Sequence, residues 1–154
     1  MIQRIQTIYL LMVTALLAVT LCLPLASFSA GIEPFTLTAF GLKSAAGEVV
    51  IRTIYMTILL ALACLLPFVT ILLFKRRMLQ IRLCVVEGVL LVGAEAMILI
   101  YYFLSDRLFS GFEFHEQSLG VAIALPIVAL LFCYLAARAI MRDEVLVRSL
   151  DRVR

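Results

Sequence analysis

Four apolar stretches decide what this chain can become. Residues 5–28, 53–74, 83–104 and 119–140 each exceed the roughly 20 residues that an α-helix needs to cross about 30 Å of hydrocarbon. Inside a bilayer every backbone N–H and C=O must find its partner within the protein, so runs of this length span as helices. With 65% hydrophobic and 15% charged residues, the chain holds too little charge to cover a globular surface, which carries about a quarter. Its net charge of +3 is small and scattered, which argues against a nucleic-acid surface. The expectation is an all-α membrane protein, residues 1–154 forming a single domain of four transmembrane helices in an antiparallel bundle, with a tail over 141–154.

The connections refine this outline. Arg4 followed by an apolar run, with Ser27 and Ser29 before Ala30, has the ingredients of a signal peptide. The run exceeds the usual 7–15 apolar residues of such signals, so a retained span is expected. After Phe28 the first outer loop turns mixed. Phe35 to Ala39 alternates with a period of two, Val49-Val50-Ile51 is β-branched, and Lys43 to Gly47 between them has turn composition, which fits either a short hairpin or an irregular loop. Pro67 lies inside span two and Pro126 in the first half of span four. A short connection, Met78 to Arg82, makes spans two and three antiparallel neighbours. Span three exits at Ser105-Asp106-Arg107, and Phe109, Phe112 and Phe114 suit an interface.

Basic residues set the orientation. Of 13 lysines and arginines, only Lys43, Arg52 and Arg107 fall on one side. Arg4, Lys75, Arg76, Arg77, Arg82, Arg138, Arg142, Arg148, Arg152 and Arg154 fall on the other. The basic excess marks the cytoplasmic face, so both termini are expected there.

Two carboxylates interrupt span three. With Leu83 at the inner edge, Glu87 lies about 6 Å deep and Glu95 about 18 Å deep, about 12 Å apart in rise and about 80° apart in direction. That separation excludes a shared metal or proton. Arg138 is at a suitable depth to pair with Glu87 as a structural ion pair. Glu95 has no basic residue at its level, and an isolated charge in hydrocarbon is costly. It is expected to be protonated or hydrogen-bonded to Thr14 or Thr20, and is the intramembrane candidate for function.

Enzyme signals are missing from the pattern. His115-Glu116 begins like a zinc-protease helix, but Leu119 stands where the second histidine belongs. No histidine sits within a span to activate a serine. Cys22, Cys64, Cys84 and Cys133 fall at different depths and read as reduced packing residues. No catalytic residue, metal site or cofactor is expected.

The tail carries Leu146, Leu150 and Val153 on one helical stripe and a Glu144–Arg148 pair in the favourable order, fitting a helix along the inner membrane face or against a partner. Three polar motifs stand at fixed ends of spans: Met1-Ile2-Gln3-Arg4-Ile5-Gln6-Thr7-Ile8-Tyr9-Leu10-Leu11, the connection from Lys75-Arg76-Arg77 to Leu83-Cys84, and the ending from Ala137-Arg138 to Val153-Arg154. Together they resemble an uncharacterised family of four-span inner-membrane proteins of Bacteroidota, known as a domain of unknown function. The resemblance implies a bacterial cytoplasmic membrane and carries over no reaction or site. The expected role is an accessory or structural subunit that meets a membrane-protein partner, or another copy of itself, through Lys75, Arg76, Arg77, Arg82, Arg142, Arg148 and Arg152. Those residues also face the lipid headgroups. The alternative is a small transporter or proton-handling protein using Glu95.

Overall fold

The computed structural model describes residues 3–30, 33–73, 76–109 and 115–151. Within these, four helices are long and apolar enough to cross a membrane: α1 Gln3–Cys22, α2 Ile54–Leu72, α3 Arg77–Phe109 and α4 Leu125–Asp151. Five strands complete the fold: β1 Ala26–Ala30, β2 Glu33–Thr38, β3 Gly41–Ser44, β4 Val49–Arg52 and β5 His115–Leu119. They form one antiparallel sheet in the order β4-β3-β2-β1-β5.

Each helix buries one narrow stripe spaced alternately by three and four residues. In α1 it is Gln6, Leu10, Val13, Leu17 and Thr20, and in α2 Met56, Leu60, Ala63, Pro67 and Thr70. In α3 it runs through Gln80, Cys84, Glu87, Leu91, Ala94 and Ile98, and in α4 through Ala129, Cys133, Ala136, Ile140 and Asp143. This spacing averages 3.5 residues, the period of helices packed at shallow crossing angles. The remaining faces expose large apolar side chains such as Leu65, Val89 and Leu131, as lipid contact requires. Because lipid is as apolar as leucine, the helices associate through close packing and hydrogen bonds, which small and polar seam residues supply.

Each seam is crossed by a polar contact. Cys64 Sγ donates to the Thr14 carbonyl at 3.8 Å between α2 and α1, and Gln80 Nε2 to the Thr70 carbonyl at 2.9 Å between α3 and α2. Cys133 Sγ donates to the Cys84 carbonyl at 3.4 Å between α4 and α3, and Gln6 Nε2 to Asp143 Oδ2 at 2.8 Å between α1 and α4. The helices thus contact one another in the cycle α1, α2, α3, α4 and back to α1.

Several expected boundaries shift. Span one, placed over 5–28, ends at Cys22. Pro24 disfavours helical backbone at the residue before it, and the chain turns into β1. Met78 to Arg82 belong to the first turns of α3, which begins at Arg77. At the other end α3 continues past Ser105-Asp106-Arg107 to Phe109. Span four begins later than 119, because Leu119 ends β5 and a 3-10 turn, Val121–Ala124, precedes α4. Pro126 is therefore in the first turn of α4, where its missing N–H costs nothing. The 141–154 tail is no separate amphipathic helix: through Asp151 it continues α4.

The outer hairpin becomes a larger sheet. Lys43 and Ser44, expected in a turn, lie in β3, which separates β2 from β4. Gly41 holds φ at +155°, and a Cβ there would stand 2.9 Å from the Ile51 carbonyl oxygen, so glycine permits the close β3–β4 pairing. Two side chains fasten the start of α2 beneath the β2–β3 turn: Thr53 Oγ1 and Thr57 Oγ1 both donate to the Ala39 carbonyl, at 2.8 and 2.6 Å. On the opposite flank Phe28 of β1 lies 5.5 Å from Tyr102 and 5.8 Å from Phe109, and Phe35 lies 4.7 Å from Phe109. These rings seat the sheet on the last turns of α3.

Candidate functional site

The two acids of α3 occupy different surroundings, and their roles differ from the depth argument. Glu87 is the more enclosed. It stands on the α3 stripe, one turn beyond Cys84, at 1% exposure, and neither carboxylate oxygen meets a hydrogen-bond partner. Thiols surround it: Cys84 on its own helix, Cys64 on α2 and Cys133 on α4 all lie within electrostatic reach. The expected ion pair with Arg138 is not formed. Arg138 falls between the stripe residues Ala136 and Ile140, so the helical repeat turns it outward, and its side chain is exposed beside α1.

Glu95 follows Ala94, a stripe residue, by one position and is rotated by about 100° from it. That rotation leaves it half-buried on the flank of the α3–α4 seam. It lines a crevice of about 240 Å³ with Leu91, Leu99, Pro126, Ile127 and Leu130, and its buried Oε2 has no hydrogen-bond partner. Neither expected threonine reaches it: Thr14 Oγ1 donates to the Leu10 carbonyl at 3.0 Å and Thr20 Oγ1 to the Leu16 carbonyl at 2.9 Å. Hydroxyls in a helix satisfy themselves on the preceding turn.

The cysteines also depart from expectation. Cys84 and Cys133, at 3% and 2% exposure, face each other across the α3–α4 seam, where Cys133 Sγ donates to the Cys84 carbonyl at 3.4 Å. That contact sets both cysteines at one level of the seam, not at the different depths expected. Cys22 is exposed at the end of α1. Among the described residues, no three His, Cys, Asp or Glu side chains are placed to share a metal ion.

At the end of the fold opposite the sheet, Arg138 and Arg142 stand four residues apart on α4, both exposed. With Ile5 and Tyr9 of α1 they edge a groove of about 920 Å³ that also takes in Val145 and Leu146. Arg76 and Arg82 are exposed around the start of α3. Lys75 and Arg152 lie outside the described residues, as do the side chains of Arg77 and Arg148.

The Glu87 cluster carried a sequence signal. Gln80, Cys84 and Glu87 are spaced four and three apart, which places all three on one helix face. A polar residue recurring on that spacing inside an apolar span marks the face turned away from lipid.

The sequence profile of a family described as a domain of unknown function (DUF4293) matches residues 2–153. A comparison with curated proteins finds no match.

Proposed function

The chain belongs to the family defined by that domain of unknown function, and from this premise we propose that it is an accessory subunit of a bacterial cytoplasmic-membrane complex. Its four helices form an antiparallel bundle with both termini in the cytoplasm, where the basic residues gather. One observation carries the reading. The 27 residues of α4 extend about 40 Å at 1.5 Å per residue, beyond the roughly 30 Å of hydrocarbon. The surplus turns are held rigidly against α1 by the buried Gln6–Asp143 hydrogen bond. They present Val145 and Leu146 at 67% and 52% exposure beside Arg138 and Arg142. An apolar patch rimmed by charge, carried on a braced helix, is the form of a protein-docking surface.

A photo-crosslinking residue at Val145 is expected to capture one dominant membrane-protein partner in intact cells. Reversing both arginines, Arg138→Glu with Arg142→Glu, should weaken that capture by at least about tenfold through lost charge complementarity. Adducts of the chain with only itself would replace the accessory reading by a homo-oligomer.

Glu95 supports a second reading, a proton-handling or transport element. A carboxyl group with an unpartnered oxygen beside a crevice between two helices is the arrangement in which intramembrane acids exchange protons or bind cargo. Under this reading Glu95→Gln abolishes a proton-coupled flux in vesicles. An unaltered flux removes Glu95 from the mechanism.

A further inference from the structure

The α3–α4 seam contains a second, open space. A groove of about 430 Å³ is lined by Cys84, Gly88, Leu130, Cys133 and Tyr134, and its lining is almost wholly apolar. Its outer rim is lipid-facing: Val85, Leu131 and Tyr134 are 61%, 61% and 62% exposed. At Gly88 an added Cβ would meet no atom within 4 Å, so the glycine keeps this stretch of the seam open. The volume lies within the roughly 300–1,000 Å³ of small-molecule sites.

Three observations converge on this groove. Its wall holds two cysteines from two helices, the Cys133 thiol lying 3.4 Å from the Cys84 carbonyl. Beside them is Glu87, a fully buried carboxyl group without a hydrogen-bond partner. The space itself opens toward lipid tails instead of toward water.

We propose that Cys84 and Cys133 form a dithiol–disulfide redox pair, oxidised by a membrane quinone bound in the groove between α3 and α4. Buried thiols at this depth are out of reach of water-soluble oxidants, whereas a quinone is a lipid-soluble two-electron acceptor whose ring fits an apolar slot. Tyr134 places a phenol at the rim, a donor for a ring carbonyl. The chemistry balances. The sulfur of one thiol adds to the quinone as its proton passes to a ring oxygen by way of the Glu87 carboxyl group, which takes it on one oxygen while releasing its own from the other. The second sulfur, losing its own proton, attacks the first. An S–S bond forms as the carbon–sulfur bond breaks, and its electron pair stays with the ring. The two protons, one of them through Glu87, complete the quinol. Two S–H bonds are exchanged for one disulfide, and the quinone gains two electrons and two protons.

This inference is independent of the docking role and of Glu95, since it concerns another part of the molecule. The test uses the full-length protein in lipid nanodiscs under anaerobic conditions, with a decyl-tailed, fully substituted benzoquinone as the only oxidant. The expected result is one quinol formed per chain, two thiols lost on titration after denaturation, and the mass of two hydrogens lost from the monomer. Cys22→Ser should leave the reaction unchanged, and Cys84→Ser or Cys133→Ser should abolish it. Glu87→Gln should slow it by at least about tenfold, the typical reach of a proton-transfer group being larger still. Gly88→Leu, which fills the groove without altering a thiol, should raise the quinone concentration needed for half-maximal rate by at least about tenfold, as expected for a blocked pocket. Four free thiols with no quinol formed would overturn the proposal. So would a disulfide linking two chains through Cys22, or a reaction that persists undiminished in Gly88→Leu and Cys84→Ser.

Discussion

Gly120→Ala is expected to destabilise the protein by about 3 kcal/mol, the upper part of the overpacking range, read as a lowered unfolding midpoint in detergent. Gly120 joins β5 to the turn before α4, and its backbone, at φ −75° and ψ 146°, is open to any residue. Space alone excludes a side chain. A Cβ at this position would stand 2.6 Å from the carbonyl oxygens of both Pro24 and Leu25, a separation that forces backbone to move. The atoms that must yield are also anchored. Gly120 N donates to the Leu25 carbonyl at 2.8 Å, and Leu25 N donates to the Leu37 carbonyl at 2.7 Å. Displacing Leu25 therefore strains β1 against β2 and β5 together, and amide exchange should accelerate first in β1. Gly88→Ala is the internal control, since nothing lies within 4 Å of its Cβ. It should be neutral or stabilising by up to about 1 kcal/mol, the helix-propensity difference between the two residues. Equal midpoints for Gly120→Ala and the parent protein would show that the junction is not the closure of the sheet.

That junction also shows which parts of the fold a sequence can and cannot display. The four spans were legible because a long apolar run has one stable form in hydrocarbon. Their ends were less so. Met78 to Arg82 stands between the basic Lys75-Arg76-Arg77 and the apolar run from Leu83 and so resembles a connection, yet a helix can begin before its apolar stretch does. The sheet was half legible. β2 and β4 show alternating or β-branched local patterns, but β1 is hidden in the apolar continuation of span one, and β5, His115–Leu119, is polar and carries no alternation. Their pairing joins Ala26 to Leu119, a contact between segments far apart in the chain, which no local pattern encodes.

The candidate site was legible only in its ingredients. Glu87, Glu95 and the cysteines stood out as residue types, while their grouping depended on which face of each helix turns inward. In a soluble helix a polar face reveals that orientation. Here lipid-facing and inward-facing positions are both apolar, so the orientation has to be taken from the few polar residues, Gln6 and Thr20 in α1, Thr70 in α2, and Gln80, Glu87 and Ser105 in α3, all buried on their stripes. Depth from an assumed membrane edge was the weaker guide. It paired Glu87 with an arginine that points elsewhere, and it separated two cysteines that share one level of the seam.

Glu87 on this stripe leads to the last expectation, that Glu87→Met makes the protein more stable. Methionine is the apolar side chain nearest glutamate in length, and being unbranched and adaptable it should let the seam repack with little strain. Neither Glu87 oxygen has a partner to lose, and the neighbours it leaves behind, Cys64 and Cys133, keep their own contacts with the carbonyls of Thr14 and Cys84. Removing an unsatisfied buried polar group is worth about 1–3 kcal/mol in water-soluble proteins. In a membrane the gain should be nearer about 1 kcal/mol, because helices that separate within the bilayer already offer the acid alternative partners. The measurement is the unfolding midpoint of the variant in mixed micelles, taken beside its reaction with quinone. A rise in stability together with loss of thiol oxidation identifies Glu87 as a group held in the core against the stability of the fold and for its chemistry, the trade-off expected of a functional residue. A variant destabilised by more than about 1 kcal/mol would show the opposite, a carboxyl group whose interactions support the fold.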